Sequence, residues 1–376
     1  MAEPFKNLIN AQGVRDMARH LRRAWPGFDA RAFEARALHG LEALELKARA
    51  MQLADALEAT LPADYAAAAG VIEASLAPPP QGEALGELHG HPDGLAGWPL
   101  WPMGEFVARR GLATPDRALQ TLHAITQRFT AEWAIRPFIV AHPERVYATL
   151  QRWTTDPSAH VRRLVSEGSR PRLPWGLQLK SLIADPSPTL PLLRALQDDD
   201  SEYVRRSVAN HLNDIAKDHP DLVVQWLAEH LPGAPAARRR LLKHASRTLI
   251  KQGHPQAMKA WGLGQALRGT LQFSVTPKRV RIGDSLTLQL TLQSTSARAQ
   301  ALQIDYAVHH VKASGASSPK VFKGWSLNLA PRQTLQLSKR HSMRVVTTRS
   351  YHPGRHEVDV RVNGQVLAQA AFLLSA

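Results

Sequence analysis

The residues of this chain best suited to chemistry are three carboxylates set among arginines. In the helix read from Val204, a step of about 100° per residue puts Val204, Ser207, Val208, His211, Leu212 and Ile215 on the buried side. Arg206, Asn210, Asn213, Asp214 and Lys217 form the opposing polar stripe. On the corresponding helix from Val161, the residues Arg163, Glu167 and Arg170 occupy the same sector. A face that only met phosphate would gain nothing from acids. Asp214 and Glu167 therefore either pair with neighbouring arginines, as Arg163 and Glu167 can at i,i+4, or act on a cation. Glu132, followed by Trp133 just before the breaker Arg136-Pro137, is the third candidate. Beyond Glu167, Pro171 and Pro174 forbid helix and predict a shaped loop ending at Trp175. Trp175 either plugs the core or offers its ring face to a sugar or a cationic base.

The elements that position these residues come from an internal repeat. Asp156-Pro-Ser-Ala-His-Val161-Arg-Arg-Leu-Val165 aligns with Asp199-Asp-Ser-Glu-Tyr-Val204-Arg-Arg-Ser-Val208, an offset of 43, and Arg239-Arg240 follows Arg205-Arg206 by 34. Partner helices are expected to start at Pro143, Pro186, Pro220 and Pro255. A period of about 35–45 residues built from two helices is the mark of a HEAT-like solenoid, with a long concave face. Upstream, residues 1–77 read as an Ala/Leu-rich helical scaffold and 78–99 as a Pro/Gly-rich loop or linker. Trp98, Trp101 and Phe106 then restart packing, and Thr114-Pro115-Asp116 reads as an N-cap opening a helix that carries Ala118, Leu122, Ile125, Phe129 and Trp133 on one side. The repeat region is assigned to 100–268. From 270 to 376 the period changes to two, as in Ser285-Leu-Thr-Leu-Gln-Leu-Thr-Leu292. About seven strands with turns at Gly283-Asp284, Gly315, Pro331 and Asn363-Gly364 predict an immunoglobulin-like β-sandwich. The fold class is thus multidomain, an all-α HEAT-like repeat solenoid followed by an all-β sandwich.

Charge narrows the partner. The 376 residues carry a formal charge of +15, distributed as −4 over residues 1–100, +9 over 101–269 and +10 over the rest. Most of the basic residues are Arg, which suits bidentate phosphate contact, so an anionic polymer is the natural partner. Codon bias in a GC-rich genome is the competing explanation of the charge. With 0 cysteines, disulfides and thiolate-ligated metals are excluded, and no metal or cofactor is implied. The first residues lack a signal pattern and no run approaches a membrane span, so a cytoplasmic, nucleoid-associated monomer with no membrane partner is expected.

The stretch Asp156-Pro to Pro174-Trp175, followed by Tyr203-Val-Arg-Arg-Ser-Val208-Ala-Asn-His-Leu-Asn-Asp214-Ile-Ala-Lys217 and His219-Pro220, resembles the AlkC branch of the bacterial HEAT-repeat DNA glycosylases. The sandwich also resembles the domain that some AlkC proteins append. This resemblance implies hydrolysis of the N-glycosidic bond of cationic bases such as 3-methyladenine and 3-methylcytosine in double-stranded DNA. Asp214, Glu167 and Glu132, in that order, would stabilise an oxocarbenium-like sugar and orient water, with Trp175 and Trp133 against the lesion. Arg162, Arg163, Arg170, Arg172, Arg205, Arg206, Asn210, Arg239, Arg240 and Lys243 would contact DNA. A non-enzymatic nucleic-acid-binding solenoid, or a protein-interaction scaffold, is the alternative that the fold alone permits.

Overall fold

The computed structural model describes residues 5–79, 92–346 and 349–376, so most of the linker expected at 78–99 lies outside the described residues. Two compact units emerge. The first comprises Met1–Asp218 with Pro235–Ala245, the second His219–Ala234 with Ser246–Ala376.

In the first unit, helices α1 (Ala11–Ala24), α2 (Ala30–Leu38), α3 (Leu46–Thr60) and α4 (Tyr65–Ser75) form the scaffold read from the sequence. Asn10, Asp29 and Asp64 start α1, α2 and α4 by accepting hydrogen bonds from the amides of Gly13, Ala32 and Ala67. Next come α5 (Leu100–Arg110), α6 (Pro115–Thr126), α7 (Arg136–Ala141), α8 (Pro143–Trp153) and α9 (Ala159–Gly168). The unit continues with α10 (Lys180–Ala184), α11 (Leu190–Leu196), α12 (Glu202–Asp218) and α14 (Ala236–Ala245). Helix α13 (Pro220–His230), α15 (Arg247–Gln252) and α16 (Pro255–Ala260) belong to the second unit.

The repeat is visible in hydrogen bonds as well as letters. Asp156 Oδ1 accepts from the Ser158 amide at 2.8 Å, and Asp199 Oδ1 accepts from the Ser201 amide at 2.9 Å, so the same Asx turn opens α9 and α12. Arg162 then reaches back to the carbonyls of Asp156 and Pro157, as Arg205 does to those of Asp199 and Asp200. The first arginine of each pair closes its own turn.

Three local expectations differ from the structure. Helix α6 stops at Thr126, leaving Phe129 and Trp133 beyond it, because Arg128 takes the Ala124 carbonyl at 2.9 Å and pins the chain to Ala77 O at 2.7 Å. Thr114 makes no side-chain cap; the proline at the first helical position starts α6. Pro186 opens a short 3-10 turn, and α11 begins only at Leu190.

The second unit contains eight strands among the described residues, β1 (Gly269–Thr276), β2 (Arg279–Arg281), β3 (Ser285–Ser294), β4 (Gln300–Val311), β5 (Ser317–Leu329), β6 (Thr334–Ser342), β7 (Gly354–Val362) and β8 (Gln365–Ser375). They form sheets β1-β3-β6 and β2-β8-β7-β4-β5, with short β2 paired parallel to β8. The alternation read in β3 puts Leu286, Leu288, Leu290 and Leu292 in the core against Ile304, Tyr306, Val308, Val358 and Val360. Each buried leucine contributes about 2 kcal/mol.

The sandwich core also encloses histidines. Burial, with the Arg349 guanidinium and His356, His341 and Lys320 nearby, pushes His310 down to about 4. Burial and Arg349 do the same to His341, and burial lowers His356. The unfolded chain accepts protons near pH 6.5 that the folded core refuses, so stability is lost as the pH falls from about 6.5 toward 4. Thermal melting should therefore show the sandwich transition moving down between about pH 7 and about pH 5, and His341→Gln should blunt that shift. A transition that does not move over this range would contradict it.

Candidate active site

Three carboxylates and three cations alternate in one chain that is exposed only at its last member, Lys217, whose side chain is 42% exposed. Glu132 stands in the connection between α6 and α7, where the Thr130 hydroxyl donates to its Oε2 at 2.8 Å. Arg163 Nη1 lies 2.5 Å from that same oxygen, and its Nη2 is 3.8 Å from Glu167 Oε1. Arg170 bridges the next two acids, with Nη1 2.5 Å from Glu167 Oε1 and Nη2 2.7 Å from Asp214 Oδ2. Ser207 donates to Glu167 Oε2 at 2.6 Å, and Lys217 Nζ donates to Asp214 Oδ1 at 2.7 Å. Tyr203 lies under the Arg163 guanidinium, 5.4 Å from ring centroid to Cζ.

Burial of these groups has electrostatic consequences. Burial would raise the Glu167 carboxyl, but Arg163 and Arg170, with the Ser207 hydrogen bond, outweigh it and hold the group below the usual range. Burial opposes the charge on Arg163 and Arg170, and the neighbouring carboxylates more than restore it. Burial pushes the Tyr203 phenol up to about 12 and His211 down to about 4. His211 is thus neutral at pH 7, and its Nδ1, 2.9 Å from the Ser166 carbonyl, ties α12 to α9. The Glu167 carboxylate is kept ionised here, away from water, because an arginine stands on either side of it.

Beside this chain lies an aromatic stack. Trp101 stacks on Trp133 at 4.4 Å between centroids and lies parallel to Trp175 at 6.0 Å, while Trp98 and Phe129 continue the cluster. Trp175 is 55% exposed and adopts φ 62°, a left-handed conformation that costs a residue with a Cβ about 1–3 kcal/mol unless its surroundings hold it. Its carbonyl accepts from Lys47 Nζ at 3.1 Å, the Pro174 carbonyl accepts from Trp133 Nε1 at 3.1 Å, and Phe5 packs 6.3 Å away. The Glu132-Trp133 peptide and the segment 168–175 join stack and acid chain covalently.

The structure gathers Glu132, Glu167 and Asp214 in one cluster and Trp133 and Trp175 in another. Asp214, read as part of a polar stripe, is 1% exposed, since α9 and the loop after it cover that side of α12. Arg163 and Arg170, expected among DNA contacts, face the acids as ion-pair partners, Arg170 buried and Arg163 with a side chain 13% exposed. Arg162 and Arg205 close their own turns, and Arg162 also pairs with Asp199 at 2.6 Å. Arg172 pairs with Asp218 at 2.8 Å, Arg206 with Glu202 at 3.4 Å, and Asn210 hydrogen-bonds His244 at 2.9 Å. Arg239, Arg240 and Lys243 lie on α14, where Arg240, with Arg205, Arg206 and His244, lines a groove of about 210 Å³. Sequence reading missed Ser207 and Thr130 as carboxylate donors, took Arg136 only as part of a helix breaker, and passed over Phe5 and Lys47. Their partners are far away in sequence, and only the repeat position of Ser207 hinted at a role.

The family described as DNA alkylation repair enzyme matches residues 126–268, and the C-terminal Ig-like domain of the uncharacterised protein YhaZ matches residues 270–376. Among curated proteins, YhaZ of Bacillus subtilis (strain 168) is 37% identical over 364 residues, covering 96% of this chain and 97% of its own. Among solved structures, the Pseudomonas fluorescens alkylpurine DNA glycosylase AlkC, bound to DNA containing an abasic site analogue, superposes with a TM-score of 0.90 at 34% identity. That similarity covers 100% of both chains.

Proposed function

Since the chain belongs to the AlkC-type DNA alkylation repair enzymes with a C-terminal immunoglobulin-like domain, we propose that it is a DNA glycosylase that excises cationic alkylated bases, 3-methyladenine and 3-methylcytosine among them, from double-stranded DNA. The observation that carries this reading is the chain Glu132–Arg163–Glu167–Arg170–Asp214–Lys217, exposed only at Lys217, beside exposed Trp175. An N-alkylated base already bears positive charge. When its glycosidic bond breaks, the bonding pair leaves with the base and neutralises it, so little acid catalysis is needed. The charge passes to the sugar, and ionised carboxylates in a low-dielectric setting stabilise that oxocarbenium character. Water adds to C1′ and loses a proton. Asp214 is the first choice to orient that water, because Lys217, the more exposed of its two partners, can yield its place. The ring of Trp175, with Trp133 behind it, would meet the lesion's sugar or base.

The decisive assay incubates the protein with duplexes carrying 3-methyladenine or 3-methylcytosine in the presence of a chelator. Abasic product is expected from both. Salt-dependent binding without product would instead favour a non-enzymatic nucleic-acid binder. We assign phosphate contact to Arg172, Arg206, Arg239, Arg240 and Lys243. Replacing Arg239 and Arg240 by Ala should weaken binding of damaged and undamaged duplex alike and flatten the log–log salt slope by about 0.9 per lost contact. An unchanged slope would remove these residues from the interface.

A further inference from the structure

Arg136 opens α7 in a run of apolar neighbours, and its side chain is 0% exposed. A buried guanidinium usually meets a carboxylate. This one donates instead to three backbone carbonyls of a single loop: Nε to Leu177 at 2.5 Å, Nη1 to Gly168 at 2.8 Å and Nη2 to Pro171 at 3.4 Å. Burial pushes its pKa down to about 10, so it is still charged at neutral pH. The loop is built to touch it. A Cβ on Gly176 would come within 3.3 Å of Arg136 Cδ, and one on Gly168 within 2.7 Å of Ile135 Cγ2.

The grip points bracket the two residues that matter. Gly168 and Pro171 flank Arg170, the cation between Glu167 and Asp214, and Leu177 lies two residues past the strained Trp175. On its other side Trp175 is held by Lys47. Resting on the glycosylase reading above, we propose that Arg136, seconded by Lys47, is a positioning residue: it sets Arg170 and Trp175 at once by fixing the backbone of the 168–177 loop, and touches no substrate itself. Five rigid donors in one plane can serve three carbonyls together; a lysine ammonium at the same depth cannot reach all three.

The test compares Arg136→Lys and Lys47→Met with the parent protein. Four readouts are taken: thermal midpoint, near-ultraviolet circular dichroism of the stacked tryptophans, single-turnover excision at saturating protein, and affinity for undamaged duplex. Arg136→Lys is expected to slow excision by about 10²-fold, the cost of misplacing a reacting group by about 1 Å, with affinity for undamaged duplex unchanged and the tryptophan signal altered. Lys47→Met, at an exposed position, should shift the same two readouts less and in the same direction. A rate loss that merely follows the folded fraction, with the tryptophan signal intact, would overturn the proposal. Should Arg136→Lys fail to fold, Lys47→Met decides, and unaltered dichroism with an unaltered rate would sink the idea. If the parent protein excises nothing, the glycosylase reading fails, while the tryptophan signal of both variants still decides whether these residues position the loop.

Discussion

Asp214→Asn is expected to lower single-turnover excision of 3-methyladenine by about 10²- to 10³-fold, or roughly 3–4 kcal/mol of transition-state stabilisation, while leaving DNA affinity equal or higher. Asparagine keeps the shape, and its one amide oxygen can still accept from buried Arg170; its NH2 then faces Lys217, whose half-exposed ammonium can turn to solvent, so the helix packing survives. What disappears is the negative charge that the sugar would meet as the bond breaks. Removing it adds one positive charge to a face meant for a polyanion, and binding should not suffer. The split between rate and affinity is the diagnostic feature. A protein that used these acids only as ion-pair partners would lose stability and keep whatever activity it had. Undiminished excision by Asp214→Asn would transfer the role to Glu167 or Glu132, undiminished excision by Asp214→Asn with Glu167→Gln would leave only Glu132, and full activity with Glu132→Gln added would end the carboxylate mechanism.

The second large effect concerns stability. Arg163→Met should destabilise the first unit by about 3–5 kcal/mol at neutral pH, because it leaves Glu132 and Glu167 buried with a cation removed from between them. Tyr203 loses its overlying guanidinium as well. In the parent protein the Glu167 carboxyl is held below its ordinary range, so it contributes stability above about pH 4.5 that is lost as the pH falls through the folded value. In the variant Arg170 and Ser207 still hold that carboxyl, but with Arg163 gone it is held down less, so protonating it costs the fold less. The gap in unfolding free energy between the two proteins should therefore narrow as the pH is lowered from about 7 toward about 4.5. Denaturant titrations at several pH values measure this. A variant within about 1 kcal/mol of the parent at pH 7 would mean that Arg163 is not what keeps Glu167 ionised.

Much of this architecture is legible in the residue order because it is written in local rules. Proline at the first helical position marks α6, α8, α13 and α16, and strict alternation marks β3. The repeated Asp-X-Ser turns place Arg162 and Arg205 at equivalent positions, and a 100° step is enough to bring Glu167 and Asp214 into one sector of successive helices. Short strand β2 was not legible, since three residues carry no period.

The partners of those acids are another matter. Arg163 reads as the i,i+4 neighbour of Glu167, yet its short contact is with Glu132, 31 positions earlier. Arg170 reads as a phosphate ligand and is in fact the bridge from Glu167 to Asp214. Trp98, Trp101, Trp133 and Trp175 come from three separate segments and meet only after folding. The sequence by itself therefore determined the elements, the repeat and the three carboxylates that could meet a cation, because hydrophobic period and turn chemistry act over a few residues. Only the tertiary structure decided whether those carboxylates are buried, which arginines pair with them, and how Trp175 is held in a backbone conformation it would not adopt alone. Burial and pairing depend on distances between residues tens of positions apart, and no local rule specifies those.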